Sequence, residues 1–458
     1  MVVDLILVGG IAYTPEGLFR CGIAVDEGKI VGVAKESHLP QASRTIDARG
    51  KLLLPGVIDP HVHFRDPGYL YKEDYETGSK AAAAGGVTMV MDQPNTNPVP
   101  CTVQRFTEHR DNAKRKSVVD FNHFASPARI TEVARIAEAG AIGFKIFQKK
   151  AAYPYNTEAS ISDYDSIFEA FKAVAKTMLP CSVHAHNTDV YDGIMRRFKE
   201  RGELNWKSFF AVTSDEVVNV STVPTLLYLA SRASVRYYCL HCGLEDYVEM
   251  MREAKAAGKK VIAGVEYYSL VPPPKGKGDD VLKETDIPTT ENHVSASWKG
   301  VLDGTLDFIE SDHAPHTKEE IEIGLREPEK MALGQPGIDY YFSILLNEAN
   351  RGRISIERLT QLCSSNVAKI FGIYPRKGAL QIGSDADITI VDPKKTMTIR
   401  SEGLYTKVAW TPYEGYEVKG VPVYTIVRGS VVMEDSEVIG KPGYGDFVKP
   451  TLPVTSSS

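Results

Sequence analysis

Residues 52–63 read Leu-Leu-Leu-Pro-Gly-Val-Ile-Asp-Pro-His-Val-His, a short apolar run that ends in two histidines. Side chains alternate between the two faces of a β-strand, so His61 and His63 point to the same side. Imidazole nitrogen is a common ligand of zinc and related divalent ions. The stretch therefore predicts a strand whose end carries a pair of metal ligands.

Four further side chains that can bind metal directly, or after modification, follow apolar runs in the same way. Lys145 follows Ala141–Phe144, His184 follows Cys181–Val183, His241 follows Val235–Leu240, and Asp312 lies just past Leu306–Ile309. A (β/α)8 barrel carries its active site at the ends of its strands, and pairs of metal ions suit hydrolysis. The whole set predicts one binuclear metal site in a barrel, formed by His61, His63, Lys145, His184, His241 and Asp312.

The character of the sequence changes twice along its 458 residues. Residues 1–54 are rich in Val and Ile and contain turn residues such as Gly9-Gly10, which is typical of several strands of a small sheet. Residues 55–376 alternate apolar runs with helix-like segments, which favours a parallel sheet with covering helices. Residues 377–458 return to strand-like runs and end in a polar tail. We therefore predict an α/β protein with a barrel over 55–376 and strand-rich ends.

The bulk properties exclude several classes of function. The net charge is −6 and Lys and Arg are spread along the chain, so no basic face for nucleic acid is expected. No apolar stretch reaches the ~18 residues of a transmembrane helix, and no signal region is evident at Met1. The six cysteines are few and unpatterned, as in a reducing compartment. We expect a cytoplasmic protein, with Cys239 and Cys242 as packing residues beside His241.

The motif set resembles that of the cyclic amidohydrolases, which include dihydroorotase, hydantoinase, dihydropyrimidinase and allantoinase. The likeness runs through nearly the whole chain, from the Leu5–Gly10 strand to the Val427-Arg428-Gly429 segment, and includes residues 55–63, 311–316 and 383–387. It implies a TIM-like (β/α)8 barrel beside a small β-sandwich that residues 1–54 and 377–458 build together from the two chain ends. It also implies a homodimer or homotetramer acting on a small cyclic amide, with no nucleic-acid or membrane partner.

The resemblance also implies how the metal ligands are divided. His61, His63 and Asp312 would hold one ion, and His184 and His241 the other. In relatives with Gly-Phe-Lys at this place the lysine is carboxylated, so the carbamate of Lys145 would bridge two divalent ions, most naturally Zn²⁺. The ions share a water and lower its pKa, and Asp312 would act as the catalytic base and acid. Taken alone, Lys145 reads as an ordinary salt-bridged lysine.

Three matched positions point to the substrate. In dihydroorotase the residues matching Arg65, Asn95 and His316 bind the carboxylate of the ring, and arginine is the usual fork for a carboxylate. Each also has a plain structural explanation: Arg65 could pair with Asp66 or Glu73, Asn95 could cap a turn, and His316 could lie on a surface loop. Gly337, after the eighth strand, would offer backbone groups to the ring amide.

Other positions depart from the relatives or are expected to be structural. Residues 148–155 resemble a hydantoinase specificity loop in length, yet Lys150 stands where a tyrosine is usual, with Tyr153 and Tyr155 nearby. His186 stands where relatives often have glutamate. His313 should point away from Asp312, and His123 should lie in the barrel.

The predicted function is metal-dependent hydrolysis of a cyclic amide C–N bond, in a carboxylated ring such as dihydroorotate. The alternative within the class is a hydantoinase, dihydropyrimidinase or allantoinase acting on a neutral cyclic ureide. A non-catalytic scaffold of the dihydropyrimidinase-like type would have lost metal ligands, which this chain keeps. A deaminase on the same barrel would lack the bridging lysine, so Lys145 argues against that class.

Overall fold

Three β-sheets organise the computed structural model, which describes residues 2–149, 157–274 and 290–451. The strands before the barrel are β1 Val2–Val8, β2 Ile11–Thr14, β3 Gly17–Arg20, β4 Gly22–Asp26, β5 Lys29–Ala34, β6 Gln41–Asp47 and β7 Leu52–Pro55. The barrel strands are β8 Val57–Val62, β9 Val87–Asp92, β10 Asp120–Ala125, β11 Gly143–Phe147, β12 Pro180–His184, β13 Arg236–Cys239, β14 Val261–Glu266 and β15 Phe308–Glu310. The strands after it are β16 Ile388–Thr398, β17 Glu417–Val427, β18 Ser430–Glu434 and β19 Glu437–Val438.

The eight barrel strands are parallel and hydrogen-bonded in sequence order from β8 to β15. A parallel bridge between Val62 and His313 joins the last strand region back to the first, and the His63 amide donates to the His313 carbonyl over 2.7 Å. The sheet therefore closes on itself, and the predicted (β/α)8 barrel is confirmed. Closure brings the two ends of the ligand set, near residues 61 and 312, side by side.

Helices connect the strands and cover the barrel. They are α1 Tyr75–Ala84, α2 Val103–Lys116, α3 Val133–Ala139, α4 Tyr164–Ala175, α5 Thr188–Glu200, α6 Trp206–Thr213, α7 Glu216–Val220, α8 Val223–Ala233, α9 Glu245–Ala256, α10 Tyr267–Leu270, α11 Glu291–Asp303, α12 Lys318–Arg326, α13 Tyr341–Asn350, α14 Ile356–Thr360 and α15 Asn366–Ile370. Many begin at a polar cap, such as Asp74 before α1 and Thr317 before α12, which satisfies amide groups at the helix start. Within the described ranges, none of these helices combines the length and apolar character needed to cross a bilayer.

The two chain ends meet in the remaining sheets. One has the order β5-β4-β1-β6, and the other has the order β19-β18-β17-β16-β7-β2-β3. The antiparallel pairing of β7 with β16, where Leu54 lies opposite Thr389, ties the N-terminal strands to the C-terminal ones. Apolar side chains from both ends, including Leu7, Ile23 and Ile388, form one buried cluster. The expected small domain of joined chain ends is therefore confirmed.

The stretch 52–63 makes the crossing between the two domains. Pro55 ends β7 in the sandwich sheet, Val57 begins β8 in the barrel, and Gly56 is the only residue between them. A Cβ atom at Gly56 would lie 2.1 Å from Oγ1 of Thr88, so the close approach of the neighbouring strand requires glycine here. The same twelve residues thus couple the sandwich to the strand that carries His61 and His63.

Candidate metal centre

His61, His63 and Asp312 meet at one end of the barrel. Nε2 of His61 and Nε2 of His63 each lie 3.3 Å from Oδ1 of Asp312. The three side chains have ligand atoms close enough to share one metal ion. The structure therefore brings together the three residues that were predicted to hold the first ion.

Hydrogen bonds orient both imidazoles. Nδ1 of His61 donates to Oε1 of Glu310 over 3.1 Å, and Nδ1 of His63 donates to Oδ1 of Asn95 over 2.6 Å. Each Nε2 is thereby left without a proton, so its lone pair is available to bind a metal ion. Burial lowers the pKa of His63 to about 3 and that of His61 well below its ordinary value, so both rings are neutral.

Lys145 lies within the same cluster. Its Nζ is 3.0 Å from Nε2 of His61 and 4.7 Å from the centre of the Phe147 ring, and the residue is 1% exposed. Burial lowers the pKa of Lys145 to about 8, against the opposing charge of Asp312. A buried amine on β11 thus stands beside the first group of ligands, as the sequence predicted.

His184 and His241 form the second group. Nδ1 of His184 lies 3.1 Å from Nε2 of His241, and the ring centres of His61 and His241 are 5.4 Å apart. Nδ1 of His241 is hydrogen-bonded to Glu266. Burial by itself would lower the pKa of His241, but the Glu266 carboxylate outweighs burial, so the pKa is raised. The six predicted ligands therefore lie in two adjacent groups at one barrel end.

Backbone strain accompanies this arrangement. His241, Asp312 and Arg65 have φ of +59°, +45° and +62°, in the left-handed region that non-glycine residues rarely adopt. Strain of this kind persists only where the surrounding structure determines it, and it clusters at functional sites. Each of the three residues lies just beyond the end of its strand, where this backbone conformation turns the chain toward the site.

Two glutamates that sequence reasoning missed support the histidines. Glu310 ends β15 and contacts His61, and it accepts a hydrogen bond from the Tyr238 hydroxyl. Glu266 ends β14 and contacts His241. The sequence does contain a signal for both glutamates: each is an acidic residue at the end of an apolar strand run. A carboxylate buried there needs a hydrogen-bonding partner.

Arg65 belongs to a buried polar network beside the ligands. Its Nε donates to the Pro315 carbonyl over 3.3 Å, and NH2 donates to Nε2 of His316 over 3.3 Å. Since a guanidinium only donates, Nε2 of His316 accepts from Arg65, while Nδ1 lies 3.3 Å from Oε2 of Glu320 and 3.1 Å from Nζ of Lys72. Lys72 pairs with Glu320 at 2.8 Å, and burial, followed by the charge of Arg65, lowers the pKa of Lys72 to about 7. His316 thus supports Arg65.

Two residues predicted to face substrate have other contacts. Asn95 bonds to His63, one of the predicted metal ligands. The Gly337 amide donates to Nδ1 of His313 over 3.1 Å, and its carbonyl accepts from the amides of Tyr340 and Tyr341. Both backbone groups of Gly337 have partners inside the protein, and the substrate roles of Asn95 and Gly337 stay predictions.

His313 and His123, which were expected to be structural, have contacts of that kind. His313 faces away from the ligands and lies 3.3 Å from Glu73. His123 is buried among aromatic rings, including that of Phe106 at 4.9 Å. His186 is buried with its ring centre 5.0 Å from that of Tyr191. Of the 148–155 loop, Lys150, Tyr153 and Tyr155 lie outside the described residues.

The donor set fits divalent metal ions. Two imidazole nitrogens each lie 3.3 Å from one carboxylate oxygen, which allows the three groups to share a single ion, with the Lys145 amine beside them. Nitrogen and carboxylate oxygen are the ligands that zinc prefers. A structural core packed for its own stability would not converge this many acceptors, so the cluster is suited to binding metal.

Comparison with known proteins identifies the family of this chain. The model of the amidohydrolase family matches residues 52–432. An L-hydantoinase of Paenarthrobacter aurescens is 31% identical over 452 residues, covering 97% of this chain and 98% of that protein. A dihydroorotase of Methanothermobacter thermautotrophicus is 33% identical over 418 residues, covering 91% and 92%. The solved L-hydantoinase (dihydropyrimidinase) of Arthrobacter aurescens superposes with a TM-score of 0.89 at 30% identity, covering 98% of this chain and all of that one.

The chain therefore belongs to the amidohydrolase family. Within that family its relatives are the cyclic amidohydrolases, the group that the sequence motifs indicated.

Proposed function

We propose that this cyclic amidohydrolase opens a ring that carries a carboxylate, as dihydroorotate or a carboxymethylhydantoin does. The hydrolysed bond is a C–N bond between a ring carbonyl carbon and a ring nitrogen. The observation that carries the hydrolytic function is the convergence of His61, His63 and Asp312 with Lys145 beside them. The observation that carries the substrate class is the buried guanidinium of Arg65 next to that cluster.

The metal ligands divide into two groups. His61, His63 and Asp312 would hold one divalent ion, and His184 with His241 would hold a second. Two such ions, Zn²⁺ by ligand type, lower the pKa of a shared water when bound, so that hydroxide is available near neutral pH. The amine of Lys145 can add to carbon dioxide: an N–C bond forms, a proton leaves, and the resulting carbamate is an anion able to bridge both groups. A carbamate would replace the buried amine of Lys145 by a negatively charged ligand, which suits two divalent cations.

Asp312 carries the proton. Its carboxylate accepts a proton from the attacking water while the C–O bond forms at the carbonyl carbon. When the C–N bond breaks, the same proton passes to the departing nitrogen. Binding to a divalent ion would keep the Asp312 carboxylate deprotonated, so the group would start as the base.

Arg65 would bind the ring carboxylate. The guanidinium is 1% exposed and is anchored by Pro315 and His316. After burial, the charge of Arg65 is a further cause of the lowered pKa of His63, which is consistent with the guanidinium lying near the predicted ligands. A buried planar donor fork suits a carboxylate, whereas a neutral ring offers it no opposite charge.

A neutral cyclic ureide is the second candidate substrate. It is supported by the 31% identity to an L-hydantoinase over nearly the whole chain. The two candidates differ in what Arg65 does, because only a carboxylated ring uses its charge. A cytoplasmic location and a homodimer or homotetramer complete the proposal, with no nucleic-acid or membrane partner.

A hydrolysis screen tests this function. The purified, zinc-loaded protein is given dihydroorotate and carboxymethylhydantoin in one set and dihydrouracil, hydantoin and allantoin in the other, and ring opening is measured. Faster turnover of the carboxylated set supports the first candidate, and faster turnover of the neutral set supports the second. No turnover of any ring would contradict both and favour a non-catalytic protein.

A further inference from the structure

The carboxylate of Asp312 is divided between two sets of neighbours. Oδ1 lies 3.3 Å from Nε2 of both His61 and His63. Oδ2 instead accepts a hydrogen bond of 3.0 Å from the hydroxyl of Tyr268. Oδ1 thus faces His61 and His63, whereas Oδ2 is held by a phenol that no sequence motif singled out and lies 4.0 Å from Nδ1 of His241.

Tyr268 is anchored at the end of a barrel strand. It comes two residues after Glu266, the last residue of β14, and lies in the short helix α10. Its ring meets that of Tyr267 edge-on, with centres 5.5 Å apart. Tyr267 is fully buried, whereas Tyr268 is half-buried. The strand therefore fixes the backbone of Tyr268, while part of its side chain is exposed at the site.

We propose that Tyr268 is a positioning residue that orients the Asp312 carboxylate for proton transfer. This inference rests on the proposed hydrolysis of a cyclic amide. A carboxylate oxygen has more than one lone pair, so Oδ2 can accept from Tyr268 and still receive the proton of the attacking water. Tyr268 keeps its own proton while the transferred proton moves from water to Asp312 and then to the departing ring nitrogen.

The hydrogen bond has a geometric consequence. With Oδ1 beside the histidines and Oδ2 held by Tyr268, both carboxylate oxygens of Asp312 are restrained, and rotation of the group is limited. Without the Tyr268 hydroxyl, the Asp312 carboxylate could turn about its Cβ–Cγ bond and lose its alignment with the substrate ring. Misalignment of a catalytic group lowers the rate of the chemical step more than it weakens substrate binding.

Tyr268→Phe tests the proposal, because it removes the hydroxyl and keeps the ring. Tyr267→Phe is the matched control, since that hydroxyl is on the adjacent residue and packs toward Gly337. The assay uses the metal-loaded enzyme and the ring that wild type opens fastest. We expect kcat of Tyr268→Phe to fall about 10- to 100-fold, the effect of losing a hydrogen bond to a charged group. KM, bound metal and unfolding temperature should match wild type, and Tyr267→Phe should retain wild-type kcat.

Three results would overturn the positioning role. They are wild-type kcat in Tyr268→Phe, a loss of kcat that is matched by an equal loss of bound metal, and an equal loss of kcat in Tyr267→Phe. Wild-type enzyme that opens no ring at all would refute the proposed function and this inference with it. Active wild type with an equally active Tyr268→Phe would refute this inference alone.

Discussion

Replacing Arg65 by methionine should change which rings the enzyme opens. Methionine has a similar length but neither charge nor donors, and it inherits the same backbone position at φ +62°. Arg65 is 1% exposed, so water screens its charge weakly. A bound carboxylate would lose its partner in a buried ion pair, while a neutral ring would lose little.

The size of the effect follows from that burial. Removing one partner of a buried ion pair costs about 3–5 kcal/mol. At about 1.4 kcal/mol for each factor of ten, kcat/KM for dihydroorotate should fall by about a hundredfold to several thousandfold. Hydrolysis of dihydrouracil or hydantoin should stay near the wild-type rate. Arg65→Lys should give an intermediate loss, because it keeps the charge and loses the fork.

The assay compares kcat/KM for one carboxylated and one neutral ring in each variant. Bound metal and thermal unfolding are measured alongside, because Arg65 also bonds to Pro315 and His316. Arg44→Met is the matched control, because Arg44 is exposed and pairs with Glu434. This substitution should leave both rates unchanged. If wild type prefers neutral rings and Arg65→Met slows all rings equally, Arg65 is a structural residue and the carboxylate proposal is refuted.

Other predictions concern the metal ligands and their supports. Metal-loaded Asp312→Asn should lose about 100- to 10,000-fold in kcat, because an amide cannot shuttle a proton; full activity with metal bound would disprove the assignment. Elemental analysis should find two divalent ions per subunit and mass spectrometry a carboxylated Lys145, with activity lost on chelation and restored by zinc; one ion per subunit with unmodified Lys145 would contradict the binuclear centre. Glu310→Gln and Glu266→Gln should each weaken metal binding about 10- to 100-fold, measured by competition with a chelator. Glu348→Gln, a change at a buried glutamate paired with arginines, is the control and should not alter metal affinity.

The sequence by itself determined the features of this protein that depend on local pattern. Alternation along β8 puts His61 and His63 on one side, and repeated apolar runs ending in polar residues predict parallel strands with a site at one edge. The same pattern predicts that Asp312 and Lys145 lie at strand ends. These features are local because a strand's period and its end are set by neighbouring residues.

Only the tertiary structure decided which side chains support these residues. Glu310 contacts His61 across 249 positions of sequence, and His316 contacts Arg65 across 251. Asn95 bonds to His63, and the Gly337 amide donates to His313; neither contact was evident from the sequence. Such contacts depend on how far each loop extends beyond its strand and in which direction its side chains turn. Closure of the barrel sets those distances, and the spacing of residues along the chain does not.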